Sequence, residues 1–131
     1  MSWLYVAIGG ALGSVLRFFL QGRIQAWIPG PLPIGTLSIN LLGSAIIGFV
    51  GGIFGTSPAV AGHPVRLFLM VGILGGFTTF SSFSLENLYL IRDGQGRVAM
   101  LYILASNVGG ILLAFGGFWL ARAVSRSGAG L

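Results

Sequence analysis

The sequence predicts an all-α integral membrane protein with four transmembrane helices in each subunit. Two observations carry this. Only nine of the 131 side chains are Arg, Lys, Asp or Glu, while 55% of residues are hydrophobic, too few charges to cover a water-facing surface. The apolar residues gather into four segments, roughly 3–20, 34–54, 67–91 and 98–121. A helix of about 20 residues crosses the ~30 Å hydrocarbon layer, and an open strand there would leave backbone groups unpaired. All five prolines lie between the segments, and the whole chain, 1–131, reads as one four-helix domain.

The first span is apolar from Trp3, with no basic residue before Arg17. It lacks the charged start of a cleavable signal peptide and is expected to stay in the mature protein. It carries Ser14 and Arg17, and Gly9 and Gly13 one turn apart. Gly48 with Gly52, and Gly72 with Gly76, repeat that spacing on later spans. Such pairs let helices approach closely, within a chain or between copies. Three of them in so small a chain point towards an oligomer.

The second span has Thr36, Asn40 and Ser44 at i, i+4 and i+8, one stripe along a helix face. On the fourth span Tyr102 and Ser106 are spaced likewise, and Gly110 continues the line. Facing stripes line a narrow wet path, or serve as interhelical hydrogen bonds.

The third span contains "GGFTTFSSFSLEN", 75–87, where five hydroxyls crowd an apolar segment. Polar residues inside a membrane are expensive and default to functional hypotheses. Glycine and β-branched residues make the start of this run a weak helix. A break near 75–79 frees carbonyls that need a partner, whether another chain, water or a cation. The alternative is a kink satisfied by nearby threonines. Phe80 and Phe83 lie on neighbouring faces of one turn, and a phenyl ring edge carries partial positive charge. Ring edges with hydroxyl and amide donors can hold an anion weakly enough to release it. Cation binding and plain packing compete with that reading.

The net charge of +5 comes from seven arginines and no lysine. They lie at segment ends rather than in a patch, which fits membrane anchoring and not nucleic acid binding. Arg66, Arg122 and Arg126 fall on the side of the termini; Arg17, Arg23, Arg92 and Arg97 fall on the other. Three against four sets no clear orientation. Either a weak bias decides, or the chain inserts both ways and opposite copies pair about an axis in the membrane plane, as inverted repeats do. There is no cysteine, hence no disulfide or thiolate metal site. No enzyme signature appears: His63 stands alone beside Pro64, and "GGALGS" lacks the lysine of a phosphate-binding loop.

"GGFTTFSSFSLE" resembles the third-span signature of the Fluc (CrcB) family of fluoride channels. "GTLSINLLG", 35–43, resembles that family's second-span motif, and "GGALGSVLR", 9–17, its first. The resemblance implies a passive fluoride channel of a bacterial inner membrane, built as an antiparallel homodimer with two pores. It implies pore roles for Phe80, Phe83, Asn40, Thr36, Ser82, Tyr102, Ser106 and Glu86, with Arg17 at the aqueous entrance. It also implies a structural Na+ held by the backbone carbonyls of Gly75 and Thr78. Gly110 and Ala114 stand where relatives often have Ser and Thr, so the polar track on the fourth span is shorter here. The rival readings are a small dual-topology multidrug transporter and an assembly subunit without a pore. The first wants a carboxylate deep in span one, which is absent, and the polar stripes speak against the second.

Overall fold

A computed structural model describes residues 1–55 and 57–128. In chain order the helices are α1 (Ser2–Trp27), α2 (Ile34–Phe54), the short α3 (Pro58–Ala61) and α4 (Pro64–Arg66), α5 (Gly75–Phe77), α6 (Phe80–Arg92) and α7 (Gly96–Gly128). Between α4 and α5 the backbone is wound in the wider π form over Leu67–Leu74. Four stretches are long and apolar enough to cross a membrane: Ser2–Trp27, Ile34–Phe54, Pro64–Arg92 and Gly96–Ser127. With the apolar surface they expose, the chain is a multi-pass membrane protein.

Two of the expected spans are longer than the sequence suggests. The first helix continues past residue 20 to Trp27, because the polar residues that read as a loop find partners at the start of α2. Gln21 Nε2 donates to Thr36 Oγ1 at 2.9 Å, and Gln25 Oε1 accepts from the Gly35 amide at 3.1 Å. The fourth helix also outruns 98–121 at both ends. Arg17 therefore sits well inside α1 rather than near its end.

The "RDGQG" turn shows why α6 stops. Gly94 takes φ +77°, a left-handed conformation that costs glycine little. The Gln95 amide then reaches Leu90 O at 2.8 Å and the Gly94 amide reaches Ile91 O at 3.1 Å, which satisfies the last carbonyls of the helix.

Glycine sets the packing. A Cβ on Gly9 would lie 2.9 Å from the Gly72 Cα, and one on Gly76 would lie 2.6 Å from the Gly10 carbonyl, so α1 and the third span touch backbone to backbone. A Cβ on Gly52 would lie 2.6 Å from the Phe118 carbonyl, and Gly48 meets the Ala114 carbonyl as closely, which joins α2 to α7. The three glycine pairs expected to support an oligomer are thus all used inside one chain.

Helical dihedrals end at Phe77 and resume at Phe80. Thr78 (φ −81°, ψ 156°) and Thr79 (φ −146°, ψ 121°) are extended.

Candidate functional site

The extended pair redirects hydrogen bonds. The Thr78 amide and Oγ1 both donate to Leu74 O, at 3.1 and 3.0 Å. The Thr79 amide donates to Asn40 Oδ1 at 2.9 Å, and Asn40 Nδ2 donates back to Thr79 O at 3.1 Å. The Ser82 amide turns to the Thr79 hydroxyl at 3.3 Å, an N-cap for α6. In an unbroken helix the Thr79 amide would serve Gly75 O, and the Ser82 amide would serve Thr78 O. Both donors are diverted, so the carbonyls of Gly75 and Thr78 lose their helical partners. The Gly76 carbonyl is served instead by Arg17 Nε at 3.1 Å and Ser14 Oγ at 3.5 Å.

A second cluster gathers midway along α6, at Glu86. Thr36 Oγ1 donates to Glu86 Oε1 at 2.6 Å, and the Tyr102 hydroxyl donates to Glu86 Oε2 at 2.7 Å. These are lengths typical of hydroxyls bound to a carboxylate. Thr36 and Tyr102 are buried, at 1% and 0% exposure, so the carboxylate is held from both sides by side chains that cannot turn away. Thr36 also accepts from Gln21. In this arrangement the hydroxyl hydrogens of Thr36 and Tyr102 are spent on Glu86.

A cavity of about 270 Å³ opens at the first cluster, walled by Asn40, Ser44, Thr79, Phe80, Phe83 and Ser106 among others. Among the described residues no charged side chain lines it. Phe83 meets Tyr102 edge-on, with centroids 5.0 Å apart, and Phe80 lies 5.7 Å from Phe83. Phe80 is 79% exposed. Ser106 Oγ is buried without a partner among the described residues. Asn40 keeps one amide hydrogen beyond the one given to Thr79. Ser44 Oγ donates to Asn40 O at 2.7 Å. A Cβ on Gly110 would lie 3.2 Å from that same Ser44 oxygen. A hydroxyl from α2 thus already stands beside position 110, where the track on α7 lacks one.

A second cavity, about 360 Å³, adjoins the first and holds Arg17, Gln21, Gln25, Thr36, Ser82 and Glu86 among its walls. Ser82 links the two cavities through its 3.1 Å bond with the Thr79 hydroxyl. The residues singled out in the sequence fall into three neighbouring groups: Gly75 and Thr78 at the interruption, Asn40, Phe80, Phe83 and Ser106 around the first cavity, and Arg17, Thr36, Ser82 and Glu86 at the second. Tyr102 joins the last two groups. Gln21 and Gln25 were missed. Their spacing from Arg17, i+4 and i+8, is the signal that marked the stripe on α2.

The family model described as CrcB-like protein, Camphor Resistance (CrcB), matches residues 4–118. A protein of Opitutus terrae named fluoride-specific ion channel FluC is 46% identical over 124 residues, covering 92% of this chain and 89% of its own. One of the same name from Magnetococcus marinus is 40% identical over 124 residues, 95% of this chain and 100% of its own. Another, from Thermus thermophilus, is 46% identical over 122 residues, 93% and 94% of the two chains.

Proposed function

The chain belongs to the CrcB (Fluc) family of fluoride channels, and from that membership we propose that it is a passive, fluoride-selective channel of a bacterial cell membrane. It exports F− from the cytoplasm through two pores in an antiparallel homodimer. Fluoride enters a cell as neutral HF from acid surroundings and is trapped inside as F−. An anion-selective leak returns it down its gradient.

The observation that carries the reading is the uncharged cavity joining amide and hydroxyl donors to phenyl ring edges. Asn40 contributes one N–H, Ser106 an unpartnered hydroxyl, and Phe80 and Phe83 their positive edges. Each donor is weak and fixed, so an ion is bound and released in turn. A second copy covering the exposed Phe80 ring would complete the wall, which supports the dimer. The alternative, a carrier of lipophilic cations, gains nothing here. The chain has two carboxylates; Glu86 is taken by Thr36 and Tyr102, and Asp93 by Arg92 at 2.8 Å.

The carbonyls of Gly75 and Thr78 fit a Na+ site, because they are hard oxygen ligands left without their helical donors. Two copies meeting at this interruption would hold the ion between them. A bound cation supplies the positive charge that these carbonyls lack in lipid.

The test is efflux from liposomes loaded with fluoride or chloride and read with ion-selective electrodes. Rapid fluoride efflux with chloride retained is expected. Absence of fluoride efflux, or equal chloride efflux, defeats the reading.

A further inference from the structure

A third cavity, about 530 Å³, opens on the far side of the first and shares Ile47 with it. The three lie end to end along α2. Thr36 faces one, Asn40, Ser44 and Ile47 face the middle one, and Ile47, Gly48, Gly51 and Gly55 face the last. From Thr36 to Gly55 a helix rises about 28 Å, close to the hydrocarbon thickness of a bilayer. One end of this line holds Arg17. The other end holds Arg66, whose side chain is part of the wall of the third cavity. Its Nη1 donates to Ala61 O at 3.1 Å, and its Nε is buried without a partner among the described residues. A second guanidinium, Arg122, stands 6.0 Å over the ring of Phe118, which lines the same cavity.

We propose that Arg66 is the anion-gathering residue at the second mouth of the pathway, the counterpart of Arg17 at the first. This rests on the fluoride-channel reading. The middle cavity has no fixed charge to draw an anion in, so capture falls to the mouths. The far mouth is otherwise lined by glycine and apolar side chains, and Ala114, the α7 residue on its wall where relatives often have a hydroxyl, offers none. Arg66 supplies a full positive charge from another helix at that end. Arginines at both mouths also suit an ion that must leave as readily as it enters, because none of them lines the middle cavity, where it would hold the ion fast.

The test compares the initial rate of fluoride efflux from liposomes for the wild-type protein, Arg66→Gln and Arg66→Lys. Subsaturating fluoride is used at two ionic strengths. At about 10 mM salt, where the screening length is about 30 Å, Arg66→Gln is expected to be slower by about two- to fourfold. At about 300 mM the deficit should shrink to less than about 1.5-fold. Arg66→Lys keeps the charge and should match the wild type at both. Gln can still donate to Ala61 O, so a purely structural role predicts a deficit that ignores salt. Such a deficit, or a normal Arg66→Gln rate at low salt, overturns the proposal. If Arg66→Gln is not recovered folded, Arg66→Lys decides: a wild-type rate at low salt supports the charge role, and a loss overturns it. Failure of the wild-type protein to pass fluoride would instead sink the channel reading itself.

Discussion

The side-chain amide of Asn40 stands in for the helix that α5 and α6 fail to make with each other. Its Oδ1 accepts from the Thr79 amide at 2.9 Å and its Nδ2 donates to the Thr79 carbonyl at 3.1 Å. One side chain satisfies both backbone groups of a residue in the interruption. The orientation of the amide is forced, since a backbone N–H can only meet the oxygen and a carbonyl only the nitrogen. The second Nδ2 hydrogen takes no part in this pairing.

Replacing Asn40 by Ala should therefore injure both stability and flux. Each orphaned buried backbone group costs about 1–3 kcal/mol, so the melting temperature in detergent should fall clearly. Asn40→Asp keeps the shape but sets an anionic oxygen against the Thr79 carbonyl, and should lose fluoride flux more completely than Asn40→Ser. Thermal unfolding and liposome efflux on the three variants check this. An Asn40→Asp protein with normal flux would show that the amide donor is not used.

The spans were legible because hydropathy alone separates them. Their ends were less so, and Gln21 and Gln25 show why. Polar residues after an apolar run look like a loop until the start of α2 supplies Thr36 and Gly35 as partners, and that contact is tertiary. The same limit applies to Glu86. The family resemblance gave Glu86 a pore role, yet its two hydroxyl partners come from α2 and α7, which no local spacing connects. Thr36 and Tyr102 each announced a polar stripe, but not that they would meet on one carboxylate. The glycine pairs were legible as close contacts and illegible as to partner, since i, i+4 spacing is the same whether the facing helix is in this chain or another.

The glycine contacts predict an asymmetry between positions that look alike in sequence. A Cβ at Gly52 would press on the Phe118 carbonyl and the Ala121 methyl, at 2.6 and 2.7 Å. Gly52→Ala should part α2 from α7 and destabilise the protein by about 1–3 kcal/mol. At Gly116, on α7, no atom of another helix among the described residues lies within 4 Å of the added Cβ. Gly116→Ala should be neutral or gain up to about 1 kcal/mol from helix propensity. Melting temperatures of the two variants, measured side by side in detergent, should move in opposite directions or differ by several degrees. A large loss at Gly116 would reveal a partner surface there.

Removing sodium tests the diverted carbonyls. If the oxygens of Gly75 and Thr78 bind Na+ in the folded dimer, ligand linkage stabilises the protein by about 2.7 kcal/mol at a hundredfold excess over the dissociation constant. Exchanging sodium for N-methylglucamine throughout purification should lower the melting temperature and slow fluoride efflux. Returning sodium should restore both. The control is a change of anion at fixed sodium, which should leave the melting temperature in place. Equal stability with and without sodium, over prolonged exchange, argues that the carbonyls are satisfied in some other way.

The two phenylalanines should part company when each is replaced by isoleucine, which keeps the bulk and removes the ring edge. Phe83 is packed within the protein, with its ring edge-on to Tyr102 at 5.0 Å. An aromatic pair of this kind adds about 0.5–1.5 kcal/mol beyond its buried area. Phe83→Ile should therefore lose stability along with flux. It also loosens the residue that holds Glu86, because Tyr102 donates to that carboxylate at 2.7 Å. Phe80 is different: the residue is 79% exposed in a single copy and its ring neighbour is Phe83 at 5.7 Å. Phe80→Ile should leave the fold of one chain nearly untouched and still depress fluoride flux by an order of magnitude, roughly the effect of losing one positioned weak donor. Efflux and thermal unfolding measured on both variants separate the cases. If Phe80→Ile conducts normally while Phe83→Ile fails only in proportion to its lost stability, the ring edges serve packing, and the Asn40 amide and the hydroxyls must carry the ion alone.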